Sequence, residues 1–152
     1  MPAAWDEQLG ERLREERNAL VQLGQVLRSH LATPPRTGDQ HWLDALRAGF
    51  DRLYAHVART ISMKEQDGYL EAILRHAPTL SRQVASMRAE NAQLLRLADG
   101  LRRDLAAIAP PDRLLLADAG ERIVRLLDLL KQHEQRENMA VLVAFNQDLG
   151  SD

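Results

Sequence analysis

The sequence contains no cysteine, which excludes a disulfide framework and a thiolate metal site and leaves histidine and carboxylate as the strong metal ligands. Aromatic residues make up only 4% of the chain. No apolar run approaches the roughly 20 residues of a membrane-spanning helix. The first residues also lack the basic and then apolar layout of a signal peptide. We therefore expect a cytoplasmic protein with no membrane partner.

Charge of either sign is not in excess, because 20 basic and 22 acidic residues give a net charge of −2. The two signs alternate along the chain instead of forming a basic stripe, which argues against nucleic acid as a partner. The chain is rich in leucine and alanine and poor in β-branched residues, a composition typical of helices. We expect an all-α protein with a single domain over residues 1–152.

Helix breakers divide the chain into four long segments. They lie at residues 33–39, 77–79 and 109–112, and each contains proline. Asp39, Thr79 and Asp112 stand where helix N-caps are expected. Because short connections join helices that run in opposite directions, the sequence predicts an antiparallel, up-down-up-down four-helix bundle.

Each segment carries an apolar seam in steps of three and four residues, the spacing of the buried face of a helix. In every segment the seam is interrupted by a polar residue. The interruptions are Arg17, Glu65, Asn91 and the pair His133 and Glu137. If these faces all point inward, the five side chains meet inside the bundle as a buried polar network or as metal ligands.

Four motifs in order resemble the hemerythrin-like, or HHE cation-binding, family of four-helix bundles. They are residues 13–17 (Leu-Arg-Glu-Glu-Arg), 65–70 (Glu-Gln-Asp-Gly-Tyr-Leu), 88–95 (Arg-Ala-Glu-Asn-Ala-Gln-Leu-Leu) and 133–138 (His-Glu-Gln-Arg-Glu-Asn). The resemblance covers nearly the whole chain. It implies a four-helix bundle in which histidines and carboxylates hold two iron ions for oxygen binding or redox chemistry.

The chain departs from the family pattern at three ligand positions, where Arg17, Ile61 and Asn91 replace histidine. The matching ligands that remain are Glu65, His133 and Glu137. A guanidinium at a ligand position brings a fixed positive charge to the place of the cation. We therefore favour a metal-free core in which Arg17 neutralises Glu65 or Glu137. The alternatives are a residual metal site formed by Glu65, His133 and Glu137, and an Arg17 side chain that faces solvent.

The sequence contains no phosphate-binding loop and no serine with a partnered base at a recognisable spacing. The leading hypothesis is a hemerythrin-like protein with a degraded metal site, acting without enzymatic activity or cofactor as a binding, regulatory or structural module. Its partner is an unidentified protein or a second copy, since the fourth helix is apolar nearly all round at Val141, Leu142, Val143 and Phe145. The alternative hypothesis is an iron-binding hemerythrin-like protein for oxygen binding, redox chemistry or iron handling.

Overall fold

The computed structural model describes residues 4–33, 35 and 39–150, and the side chains of residues 4–6 and 145–150 lie outside this description. The elements in chain order are α1 (Ala4–Ala32), α2 (Gln40–Gln66), α3 (Tyr69–His76), a 3-10 turn (Pro78–Leu80), α4 (Ser81–Ala107) and α5 (Arg113–Gly150). No strand occurs in these ranges, so the predicted all-α class is confirmed for them. None of the helices in the same ranges has an apolar stretch sufficient to cross a membrane.

Aspartate side chains cap two of the predicted helix starts. Asp39 accepts a hydrogen bond from the Trp42 backbone N–H at 3.0 Å. Asp112 accepts from the backbone N–H groups of Leu114 and Leu115 at 2.9 and 3.1 Å. Both caps satisfy donors that the first turn of a helix leaves unpaired.

The predicted N-cap at Thr79 is wrong. Thr79 lies within the 3-10 turn, and α4 begins without a side-chain cap. The reason is that the turn has its own backbone hydrogen bond, from the Leu80 N–H to the Ala77 carbonyl at 3.0 Å. This bond leads the chain directly into α4.

Gly68 divides the second predicted segment into two helices. Its φ of 92° lies in the left-handed region, which a residue without a Cβ adopts at little cost. Helix α2 therefore ends at Gln66, and α3 begins in a new direction at Tyr69. Leu70 and Ile73 of α3 are buried, so the change of direction carries an apolar face into the interior.

The apolar interior consists of two large clusters. The main core joins α1, α2, α4 and α5 through residues that include Leu27, Phe50, Leu101 and Ile123. The second core joins α3, the start of α4 and the end of α5 and is formed by Leu70, Ile73, Ala77, Leu80, Val84, Met87, Ala140 and Ala144. Helix α1 packs on α2, α2 on α4, α4 on α5, and α3 on α5.

Candidate functional site

Five polar side chains from three helices meet inside the protein, and we call them the polar cluster: Lys64 of α2, Glu90 and Asn91 of α4, and His133 and Glu137 of α5. Asn91, His133 and Glu137 are only 0%, 4% and 1% exposed. Because a buried polar or charged group is costly without a partner, these side chains depend on one another for partners, and of the Asn91 amide atoms only Oδ1 has one among the described residues.

His133 is the centre of the polar cluster. Its Nδ1 lies 2.5 Å from Glu90 Oε2, and its Nε2 lies 2.9 Å from Glu137 Oε1 and 2.7 Å from Asn91 Oδ1. A neutral imidazole donates through only one nitrogen, whereas the protonated ring donates through both. Since each ring nitrogen contacts a carboxylate oxygen, the arrangement favours the charged imidazolium form of His133.

Glu137 is paired with a cation on each side. Lys64 Nζ lies 2.5 Å from Oε2, and the His133 ring contacts Oε1. These contacts are ion pairs by distance, although their angles depart from those of good hydrogen bonds. Glu90 in turn contacts the guanidinium of Arg136 at 2.9 Å on the outer side. Within the polar cluster, two positive charges therefore balance two negative ones.

The ion pairs hold three groups of the polar cluster in their charged forms. Burial alone lowers the pKa of His133, but the contacts with Glu137 and Glu90 outweigh burial and raise it above its usual value. Burial raises the pKa of Glu137, and the His133 and Lys64 contacts reverse this and lower it. Burial likewise raises the pKa of Glu90, but the contacts with His133 and Arg136 have the larger effect, and the net change is a decrease.

These shifts predict a stability maximum between two limits of pH. The raised pKa of His133 stabilises the fold fully below the ordinary histidine value of 6.5, and this contribution is lost as pH rises through the folded-state pKa. The lowered pKa values of Glu90 and Glu137 stabilise the fold above the ordinary value of 4.5, and this contribution is lost as pH falls through their folded-state pKa values.

We therefore expect thermal unfolding midpoints measured across pH to be highest between about 4.5 and 6.5 and to decrease on both sides. A His133→Leu variant lacks the group responsible for the alkaline decrease and serves as the control. An equally steep decrease above pH 6.5 in that variant would assign the effect to other residues.

Arg17 lies at the edge of this site. It forms an ion pair with Glu134 and donates to Asn138 Oδ1 at 3.1 Å, and its side chain is 38% exposed. The expected neutralisation of Glu65 or Glu137 by Arg17 is thus corrected, because Glu134 is its ion-pair partner. Two successive steps of four residues from Leu9 rotate position 17 by about 80° around the helix, away from the centre of the seam.

Glu65 is exposed and does not join the polar cluster, which corrects its predicted place in the network and in the metal site. Three successive steps of four, from Leu53 through Val57 and Ile61, rotate position 65 by about 120° around α2. Lys64 follows Val57 by seven residues and stays within about 20° of it. The inward polar residue at the end of α2 is therefore Lys64, which the sequence reasoning missed.

Two signals in the sequence could have identified Lys64. The seven-residue spacing from Val57 is the repeat of a buried helical face. Lysine is also rare here, since 18 of the 20 basic residues are arginine. A compact ammonium on a flexible stem can reach a buried carboxylate where the broader guanidinium of arginine cannot fit as readily.

The structure separates the members of the predicted metal-ligand set. Of the predicted ligand set, the structure brings His133 and Glu137 together and leaves Glu65 on the surface. Lys64 Nζ occupies the position beside Glu137 Oε2 that a metal ion would need. Across the described ranges, no group of three or more His, Cys, Asp or Glu side chains has the geometry to hold an ion.

The apolar end of α5, predicted as a contact surface, is mostly open to solvent. Leu142 is 55% exposed and Val143 36%, while Val141 packs partly against the second core. The side chain of Phe145 lies outside the described residues. Self-association through this surface stays a prediction.

Comparison of the chain with protein-family models, curated proteins and solved structures found no match.

Proposed function

We propose that this chain is a metal-depleted member of the hemerythrin-like family that acts without enzymatic activity as a binding, regulatory or structural module. The proposal includes an antiparallel, up-down-up-down bundle of α1, α2, α4 and α5, with α3 as the displaced end of the second segment. It is supported by four long helices separated by short connections and by the packing of α1 on α2, α2 on α4 and α4 on α5. The four motifs of the resemblance follow this order along the chain, with residues 65–70 spanning the end of α2 and the start of α3.

The observation that carries the proposal is the ion pair between Lys64 and Glu137 at 2.5 Å, beside His133. An ammonium and an imidazolium already neutralise the carboxylates that a metal ion would use. Binding a divalent cation there requires both the displacement of Lys64 and the loss of a proton from His133, since a metal-bound imidazole nitrogen carries no proton. Both requirements oppose metal binding.

The burial of His133 supports the non-enzymatic part of the proposal. His133 is the general base that the sequence offers inside the bundle, yet it is 4% exposed and both of its ring nitrogens contact acceptors. A general base must reach the proton that it removes from a substrate. His133 is therefore placed to stabilise the fold, because its contacts join α4 to α5.

The metal content of the protein tests this proposal. We expect protein grown with supplemented iron, manganese and zinc, and purified without chelators or a histidine tag, to contain far less than one metal ion per chain by elemental analysis. The same protein should be fully folded by circular dichroism. Near-stoichiometric iron together with oxo-bridge absorption would overturn the proposal in favour of the iron-binding alternative.

A Lys64→Met variant prepared in parallel serves as the matched comparison. This change removes the ammonium beside Glu137 and leaves the nitrogen and oxygen ligands in place. We expect titration calorimetry to show tighter Zn²⁺ binding by the variant than by the wild type. Equal and stoichiometric Zn²⁺ binding by both proteins would show that Lys64 does not exclude the ion.

A further inference from the structure

A groove of about 700 Å³ lies between the end of α1, the start of α2 and the start of α5, and none of its lining residues belongs to the polar cluster. Its walls are mainly apolar and include Leu31, Trp42, Leu116 and Val124. The volume is in the range of about 300 to 1,000 Å³ that small-molecule sites usually have. The groove can therefore hold a ligand with a sizeable apolar part.

Trp42 gives the groove a fixed apolar wall. Its indole Nε1 donates to the Thr33 carbonyl at 2.8 Å. Its ring stacks on His30 with 4.6 Å between the ring centroids, and the His30 Nε2 donates to the Trp42 carbonyl at 2.9 Å. Because the polar atom of the indole is already bonded within the protein, Trp42 contributes apolar surface to the groove.

The charged residues that line the groove favour an anion. They are Arg113, Glu121 and Arg125, so two guanidiniums face one carboxylate. Arg125 makes no hydrogen bond or ion pair with another described residue, whereas Arg28 and Arg122 on neighbouring surfaces pair with Asp128 and Asp104. A guanidinium without a partner is available to bind a carboxylate in a two-point contact.

Two further leucines lie on the first turn of α5, and neither lines the groove. Leu114 is 82% exposed and Leu115 53%. Asp112 caps this turn, so its position relative to the groove is held by backbone hydrogen bonds.

We propose that this groove binds a free amphipathic carboxylate, such as a medium-chain fatty acid, with its chain against Leu31, Trp42 and Leu116 and its carboxylate on Arg125. This function goes beyond the metal-depleted bundle proposed above, since no residue of the polar cluster takes part. Binding in the groove and exclusion of metal can therefore fail or succeed separately.

The test uses Trp42 as the reporter in a Trp5→Phe background, which leaves one indole in the chain. Sodium decanoate, titrated below its micellar concentration, should change the Trp42 emission in a saturable way. Decanol, which has the same chain without the charge, should bind at least about tenfold more weakly, because it cannot form the charge-assisted contact with Arg125.

Two variants test the proposed contacts. Ala117 lines the groove and is exposed, so Ala117→Phe should fill the groove and abolish binding. Arg125→Gln should weaken decanoate about tenfold and leave decanol unchanged. Arg96→Gln, at an exposed arginine of α4 outside the groove, is the matched control and should bind as the parent does.

No saturable response to decanoate would overturn the proposal, as would an unchanged affinity in both Ala117→Phe and Arg125→Gln. A response only to vesicles of anionic phospholipid would also overturn it, because the ligand would then be a lipid surface and not a free carboxylate. If Ala117→Phe fails to fold by circular dichroism, the exposed Arg125→Gln variant alone decides the outcome.

Discussion

Replacing Lys64 with methionine is expected to lower the free energy of unfolding by about 3 to 5 kcal/mol, the usual cost of removing one member of a buried ion pair. The side chain of Lys64 is 12% exposed and that of Glu137 only 1%, so solvent cannot replace the lost ammonium. Methionine keeps most of the stem volume, which limits the effect of a cavity. Urea unfolding at neutral pH, followed by circular dichroism, measures the difference.

The second lysine of the chain provides the control for this prediction. Lys131 is exposed on α5, so Lys131→Met should change stability by no more than about 0.5 kcal/mol. A Lys64→Met/Glu137→Gln double variant should recover part of the loss, because it also removes the charge that Lys64 neutralised. A Lys64→Met protein as stable as Lys131→Met would contradict the assigned ion pair.

Replacing His133 with leucine is expected to cost a similar amount, about 3 to 5 kcal/mol. The change leaves Glu137 with Lys64 as its single cation in the polar cluster and removes the donor to Asn91 Oδ1. It also removes the contact between His133 and Glu90 that joins α5 to α4. The loss should be larger at pH 6 than at pH 9, because the stabilisation that comes from the raised pKa of His133 is lost as pH rises through its folded-state pKa.

His41 supplies the comparison for this variant. It is exposed in the first turn of α2, and His41→Leu should have an effect of at most about 0.5 kcal/mol at either pH. Unfolding curves of both variants at pH 6 and pH 9 separate a specific loss at position 133 from a general effect of adding leucine. A His133→Leu loss that does not depend on pH would contradict the imidazolium assignment.

The sequence was sufficient to predict the buried faces of α4 and α5. The seam predicted for the third segment in steps of three and four is buried at all nine of its positions, which are Leu80, Val84, Met87, Asn91, Leu94, Ala98, Leu101, Leu105 and Ile108. Along α5, only Leu130 of the predicted seam is less than fully buried. In these helices, steps of three and four alternate often enough to keep the seam on one face, so chain spacing alone identifies the inward polar residues.

The end of α2 could not be predicted in the same way. Successive steps of four residues after Val57 drift around the helix, because 3.6 residues make one turn. These steps therefore select Glu65 as the inward polar residue, whereas in the structure it is Lys64. Which residue faces inward also depends on where the helix stops, and Gly68 ends α2 by a backbone conformation that the apolar pattern does not contain. The pairing of Lys64 with Glu137 joins residues that are far apart in the chain, so no local spacing could predict it.

The groove was missed for a related reason. Leu31, Trp42 and Val124 belong to three different helices. All three are apolar, so none of them stands out in the spacing of polar and apolar residues along its helix. A concave surface arises from the relative placement of helices, and sequence periodicity describes one helix at a time.

The position of the polar cluster between the main core and the second core affects how substitutions combine. Along α4, Asn91 separates Met87 of the second core from Leu94 of the main core, and along α5 His133 and Glu137 precede Ala140. Energetic effects of substitutions add when the altered residues share no neighbours. The losses of unfolding free energy caused by a cavity in each core should therefore add. The loss from a cavity in either core should not add to the loss from a change in the polar cluster. The buried charges thus connect α2, α4 and α5 and also separate the two apolar cores energetically.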